Sequence, residues 1–187
     1  MLRLLKAGLI RVGLVAVLLP LFVSSAMAVS PEREQELLGI WLEIRQIAAA
    51  KGDREAQYDL GVAYWFGRGA ALDPAASYHW FKLASDQEHT GAHLYLGYFY
   101  HLGEYIPKNL ERSRHHYKEA ARLGDQGARV RVAQSYLGGG DGFPRDPAEA
   151  HFWFSLAGDS EGVERSARQL NQRQLVAATA RARGIGD

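Results

Sequence analysis

Cysteine is absent from all 187 residues. That excludes disulfide staples, thiolate metal sites, a cysteine nucleophile and a lipid-anchored N-terminal cysteine. Catalytic signatures are missing as well: there is no G-x-S-x-G, S-x-x-K, H-E-x-x-H or phosphate-binding glycine loop. Neither sign of charge dominates, with 22 Lys+Arg against 21 Asp+Glu. No basic stripe is concentrated enough for nucleic-acid binding. The longest apolar run, Val12 to Val23, is broken by Gly13 and Pro20 and falls short of the roughly 20 residues that cross a bilayer.

That run does have the layout of an export signal. Arg3, Lys6 and Arg11 precede it, and Ser24-Ser25-Ala26-Met27-Ala28 supplies small residues in an A-x-A arrangement. Cleavage after Ala28 and a periplasmic destination are expected; a retained N-terminal anchor is the alternative. Cleavage removes three basic residues and no acidic ones, so Lys+Arg falls from 22 to 19 against 21 Asp+Glu and the net charge becomes about −2.

What the chain has instead is internal repetition. Ala56, Leu60, Gly61, Tyr64 and Gly67 return about 36 residues later as Ala92, Leu96, Gly97, Tyr100 and Gly103, then as Ala128, Val132, Ala133, Tyr136 and Gly139. A second half follows each set. It reads Asp73-Pro74, Ser77, Trp80-Phe81 and Ala84, then Asn109, Ser113, His116-Tyr117 and Ala120, then Asp146-Pro147, Ala150, Trp153-Phe154 and Ala157. Such a period signals stacked helix pairs, each too small to bury its own apolar face. Helix A ends at a glycine able to take the left-handed conformation. Helix B starts on Asp or Asn, twice followed by Pro, the pattern of an N-cap and first helical position.

The expected fold is therefore an all-α superhelix of three helix-turn-helix units, 54–89, 90–125 and 126–159. An N-terminal capping helix lies within 29–53, over Glu32 to Ala50, and a C-terminal capping helix within 160–187, over Ser160 to Arg183. The five arginines Arg165, Arg168, Arg173, Arg181 and Arg183 read as a solvated outer face, or else as a docking surface for an acidic partner or lipid headgroups.

These motifs resemble the Sel-one-like repeat, a relative of the tetratricopeptide repeat, with the pattern A-x3-LG-x2-Y-x2-G-x-G, an acidic helix start, A-x2-W-[YF] and a closing Ala-Ala-x2-Gly-Asp. The closing element stands here as Ala120-Ala121-Arg122-Leu123-Gly124-Asp125. The middle unit departs most, with Tyr105 at a turn-glycine position and His116 at a tryptophan position; the third unit has one extra residue in its glycine turn. The resemblance implies non-catalytic adaptor work on a protein or peptide partner in the cell envelope, with no cofactor. Some cysteine-rich relatives are similar to β-lactamases in activity, and this chain lacks their cysteines. A cell-wall-directed hydrolase or β-lactamase-like enzyme is the alternative from another class, and a structural oligomer stacking through terminal helices is a third.

In tetratricopeptide-like arrays helix A lines the concave groove. Carried onto this sequence, the partner-binding positions are Tyr58, Val62, Trp65 and Phe66 in the first unit, Leu94, Tyr95, Tyr98 and His101 in the second, and Arg131 and Gln134 in the third. The aromatics suit a binding surface, and packing against the next helix A is the competing reading. The seven histidines suggest a metal site only superficially. His79 and His115 are equivalent, whereas the inserted residue makes His151 the counterpart of Tyr78. His89 and His93 share a helical spacing, but His89 falls at a turn and no carboxylate lies between them, and His116 reads as the filler of an aromatic core slot.

Overall fold

The structure is a computed structural model that describes residues 30–184. The apolar run and the cleavage site after Ala28 lie outside the described residues. Within them the chain forms nine helices: α1 (Pro31–Ala50), α2 (Arg54–Phe66), α3 (Pro74–Ser85), α4 (Thr90–Leu102), α5 (Leu110–Arg122), α6 (Gln126–Gly138), α7 (Pro147–Ala157), α8 (Ser160–Ala167) and α9 (Gln172–Arg183). Helices α2, α4 and α6 are the A helices and α3, α5 and α7 the B helices, stacked as an all-α superhelix.

Each boundary has a local cause. The A helices start on Asp53, His89 and Asp125, whose side chains accept from the amides of Ala56, Ala92 and Ala128. They end on Gly67, Gly103 and Gly139, all left-handed at φ 68°, 69° and 73°. The B helices start on Asp73, Asn109 and Asp146. The amides of these three donate back to the carbonyls of Tyr64, Tyr100 and Tyr136, which locks the A–B turn in the same way each time. Between units the chain passes through another left-handed position, held by Gly52, Glu88, Gly124 and Gly158 in turn. Glu88 is the exception among four equivalents.

Size complementarity sets the packing within a unit. Gly61 and Gly97 bring helix A so near to helix B that an added Cβ would stand 2.6 Å from the rings of Phe81 and Tyr117. The Ser77 and Ser113 hydroxyls, fully buried, donate to the carbonyls of those same glycines at 2.8 and 2.9 Å. The third unit replaces both partners, with Ala133 facing Ala150. Phe81, Tyr117 and Phe154 are fully buried in equivalent places and anchor the cores of successive units.

One position per junction then ties each B helix to the next A helix. Tyr95 stacks on Phe81 with centroids 4.4 Å apart and planes 7° apart. Arg131 lies 4.4 Å above the Tyr117 ring and Arg165 5.7 Å above that of Phe154. At the first junction the equivalents are Arg45 and Asp59, which form an ion pair at 3.0 Å. Helix α1 thus packs on α2 in the way that a B helix packs on the next A helix. Its face bearing Leu37, Ile40, Ile44 and Ile47, where Ile44 matches the inward Trp80, is exposed.

The C-terminus departs from the single capping helix expected over Ser160 to Arg183. Two helices occupy that span, α8 and α9. Asp159 caps α8 as Asp125 caps α6, so α8 is a shortened A helix of a fourth, degenerate unit. The chain then restarts at a capping box in which Asn171 and Gln174 satisfy each other's backbone amides. Helix α9 returns onto α7, where Arg181 pairs with Glu149 and lies 4.0 Å above the Phe152 ring.

Candidate partner-binding groove

The positions carried over from the repeat pattern all lie on the A helices α2, α4 and α6, and their contacts divide them into two groups. Tyr58, Val62, Trp65 and Tyr95 are half-buried and pack around Phe81, Leu96 and Phe99 at the first two units. Tyr58 stacks on His89 at 4.1 Å, and its ring fills the space beside Gly91. Trp65 meets Phe99 at 4.8 Å and Tyr105 at 5.9 Å, both edge-on. These contacts put much of that aromatic area into the junction between α2 and α4. Phe66 is half-buried under the Arg68 guanidinium, and Leu94 packs on the third unit's core.

Further along, Tyr98, His101, Arg131 and Gln134 come together with Asp141. Tyr98 is 38% exposed, and its ring stands edge-on to buried Tyr117 at 5.7 Å. Arg131 crosses both rings, 5.3 Å from Tyr98 and 4.4 Å from Tyr117. Asp141 places one carboxylate oxygen 3.6 Å from Arg131 Nη2 and the other 3.6 Å from His101 Nδ1. Burial holds His101 below the usual imidazole range, against the pull of Asp141. An open pocket of about 320 Å³ adjoins this group, lined by Arg131, Gln134, Ser135, Asp141 and the intervening glycines.

Sequence reasoning did not name Asp141, Tyr117 or Tyr105 as site residues. Asp141 sits in the third glycine turn in a left-handed conformation, φ 57°, as the aligned Gly69 does at φ 68°, and faces His101 of α4 and Arg131 of α6. Tyr117 stands where the other units have phenylalanine. Tyr105 replaces a turn glycine without a positive φ, and its exposed ring instead extends the Trp65 cluster.

Four of the histidines make structural contacts. His89 is an N-cap whose Nδ1 accepts from the Ala92 amide at 3.2 Å, while Nε2 lies 3.0 Å from Glu55, a carboxylate distant in sequence. His151 is buried between Ser166 and Thr179. His116 stacks on Tyr100 and sets its Nδ1 3.0 Å from that of His93, so one ring donates and the other accepts. Burial, then the proximity of His93, pushes the His116 pKa down to about 4. Among the described residues, no group of three or more His, Asp or Glu is arranged to hold a metal ion. No helix among them is long and apolar enough to cross a membrane.

Repeated caps, turns and junction stacks of this kind define a solenoid of α/α repeats. The chain belongs to the Sel1 repeat family, matched over residues 54–89, 90–125 and 127–161, more than half its length. Sel1 repeat proteins generally mediate protein–protein interaction. The chain is 34% identical over 147 residues to the chitin synthase regulator SKT5 of Malassezia restricta. That match covers 76% of this chain but only 10% of the relative. Its fold is similar to that of a protective antigen of uropathogenic Escherichia coli strains displaying an SLR fold, with TM-score 0.63 and 22% identity over 83% of this chain and 35% of that one. A Sel1 repeat protein from Oxalobacter formigenes is also similar, with TM-score 0.56 and 24% identity over 74% of this chain and 97% of that one.

Proposed function

We propose that this protein is a non-catalytic adaptor of the cell envelope that holds a protein or peptide partner in the groove lined by α2, α4 and α6. The observation that carries this reading is the Tyr98–Arg131 corner. A large ring is left partly in water beside an arginine already fixed by stacking, at the mouth of an open pocket. Tyrosine and arginine are enriched at binding hot spots; tyrosine offers much contact area with few rotamers to freeze, and this arginine is already held by its ring contacts. Family membership supports the adaptor role, and the regulator named among the relatives agrees with it. Export rests on the basic segment, apolar run and A-x-A site of the first 28 residues.

Capture from an envelope extract tests the reading. Immobilised wild-type protein should retain a specific partner, and Tyr98→Ser should lose most of it while keeping the helical circular dichroism of the wild type. Equal retention by Tyr98→Ser would remove the groove from the account. Mass spectrometry of the protein recovered from periplasmic and cytoplasmic fractions tests the location; periplasmic material should begin at Val29. A cytoplasmic chain with its N-terminus intact would contradict export.

A further inference from the structure

We infer that the His101–Arg131 corner is a carboxylate-binding subsite that Asp141 occupies in cis, and that the partner docks by displacing Asp141 with a carboxylate of its own. This rests on the groove reading above and specifies the chemistry of the partner.

Three buried polar atoms meet here without a hydrogen-bond partner: His101 Nδ1, Arg131 Nε and the Tyr117 hydroxyl. A buried donor left unmade costs about 1–3 kcal/mol, so such groups are rare in a packed interior and three at one place need a cause. Asp141 is the carboxylate that faces His101 Nδ1 and Arg131 Nη2, yet it stops 3.6 Å from each, within ion-pair range and beyond hydrogen-bond range. It therefore screens the corner without satisfying it.

Asp141 is the non-glycine left-handed residue of a turn otherwise made of Gly139, Gly140 and Gly142, and its side chain is 38% exposed. In the first two units the aligned positions are Gly69 and Tyr105, so no acid doubles back there. Arg131, by contrast, stays fixed. Its guanidinium lies on the Tyr117 ring and against Tyr98, which presets a planar fork for a carboxylate at little entropic cost. Lys108 adds positive potential near His101. A ligand carboxylate entering through the adjoining pocket meets an arginine, a neutral imidazole and the Tyr98 ring as a flank. An Asp or Glu side chain and a free C-terminus share this chemistry.

Nuclear magnetic resonance of the full chain tests it, reading the Arg131 Nε–Hε and His101 imidazole signals. The probes are N-acetylglutamic acid α-amide (side-chain carboxylate), N-acetylalanine (α-carboxylate) and neutral N-acetylglutamine amide. At least one carboxylate should give saturable shifts that the neutral amide does not, and the arm that responds identifies the source. Asp141→Asn, which keeps the left-handed turn but removes the internal competitor, should tighten binding roughly threefold or more. Arg131→Gln should abolish it. Equal shifts with the neutral amide, or weaker binding by Asp141→Asn, would overturn the proposal. If no carboxylate binds while Tyr98 still contacts a partner, the subsite fails and the groove stands; if neither occurs, both fail.

Discussion

Arg131 lies over the ring of Tyr117, 4.4 Å from its centroid, in the place where Tyr95 lies over Phe81 one unit earlier. The equivalence matters because the B-helix partner changed with it. Phe81 and Phe154 are carbon-only at this buried site, whereas Tyr117 brings a hydroxyl that finds no hydrogen-bond partner. The oxygen is a cost to the fold and a resource to the groove.

Tyr117→Phe is therefore expected to leave stability unchanged or raise it by up to about 1 kcal/mol, since a desolvated hydroxyl is removed and no bond is lost. Urea unfolding measures this. A loss of more than about 1 kcal/mol would show that the hydroxyl is bonded in solution.

The same junction predicts an asymmetry between two small substitutions. Gly97→Ala pushes a Cβ to 2.6 Å from the Tyr117 ring, which must shift, so a loss of about 1–3 kcal/mol is expected. Ser113→Ala removes only a hydroxyl bonded at 2.9 Å to the Gly97 carbonyl and should cost about 1 kcal/mol. The third unit has alanine at both equivalent positions, Ala133 and Ala150, so glycine and serine are replaced there as a pair. The double variant should cost less than the two losses added; additive losses would mean the sites are uncoupled.

Glu88 is the non-glycine member of the left-handed column Gly52, Glu88, Gly124 and Gly158, with φ 58°. Left-handed backbone costs a side-chain-bearing residue roughly 1–2 kcal/mol, and the exposed Glu88–Arg122 pair, screened by solvent, returns little of it. Glu88→Gly should be neutral to stabilising in thermal unfolding. Gly124→Ala would meet only the Arg129 guanidinium, at 4.0 Å, but the same backbone strain, and should lose about 1 kcal/mol. The reverse order would contradict the strain argument.

The buried His93–His116 pair makes stability fall with acid. The folded His116 pKa is depressed, first by burial and then by His93, to about 4, below the ordinary value of 6.5. His115 and Arg112 push the same way, while Asp86 near His116 and Glu119 and Glu88 near His93 oppose. A depressed histidine keeps its full contribution above pH 6.5 and loses it as pH falls toward 4, because the unfolded chain takes the proton first. The loss, discounted for partial exposure, is on the order of 1–3 kcal/mol. His116→Trp, the residue of Trp80 and Trp153 at this position, should flatten much of that slope in urea titrations run from pH 7 to 4. An unchanged slope would place the acid sensitivity elsewhere.

Fold and site were legible to different depths. Helix ends followed from Asp, Asn, Pro and Gly at fixed offsets, because capping is a local matter of one side chain and the next few amides. The break between α8 and α9 was missed although Asn171 and Gln174 carry its signal, since an apolar spacing through Leu170 and Leu175 also fits one continuous helix. Which groove residues stay in water was not legible. Trp65 and Tyr98 have the same chemistry in sequence, and only the stacking of α2 on α4 buries much of one and leaves the other beside a pocket. Asp141 depended on a backbone angle that an inserted residue does not announce.

Site-specific photo-cross-linking in living cells addresses the central claim most directly, with a photoreactive phenylalanine placed at Tyr98 on the groove and, separately, at exposed Lys82 on a B helix. A partner held in the groove predicts a discrete cross-linked species from position 98 and none from position 82. The account is contradicted by adducts from position 82 alone, or by none at position 98 in a protein that is folded and correctly located.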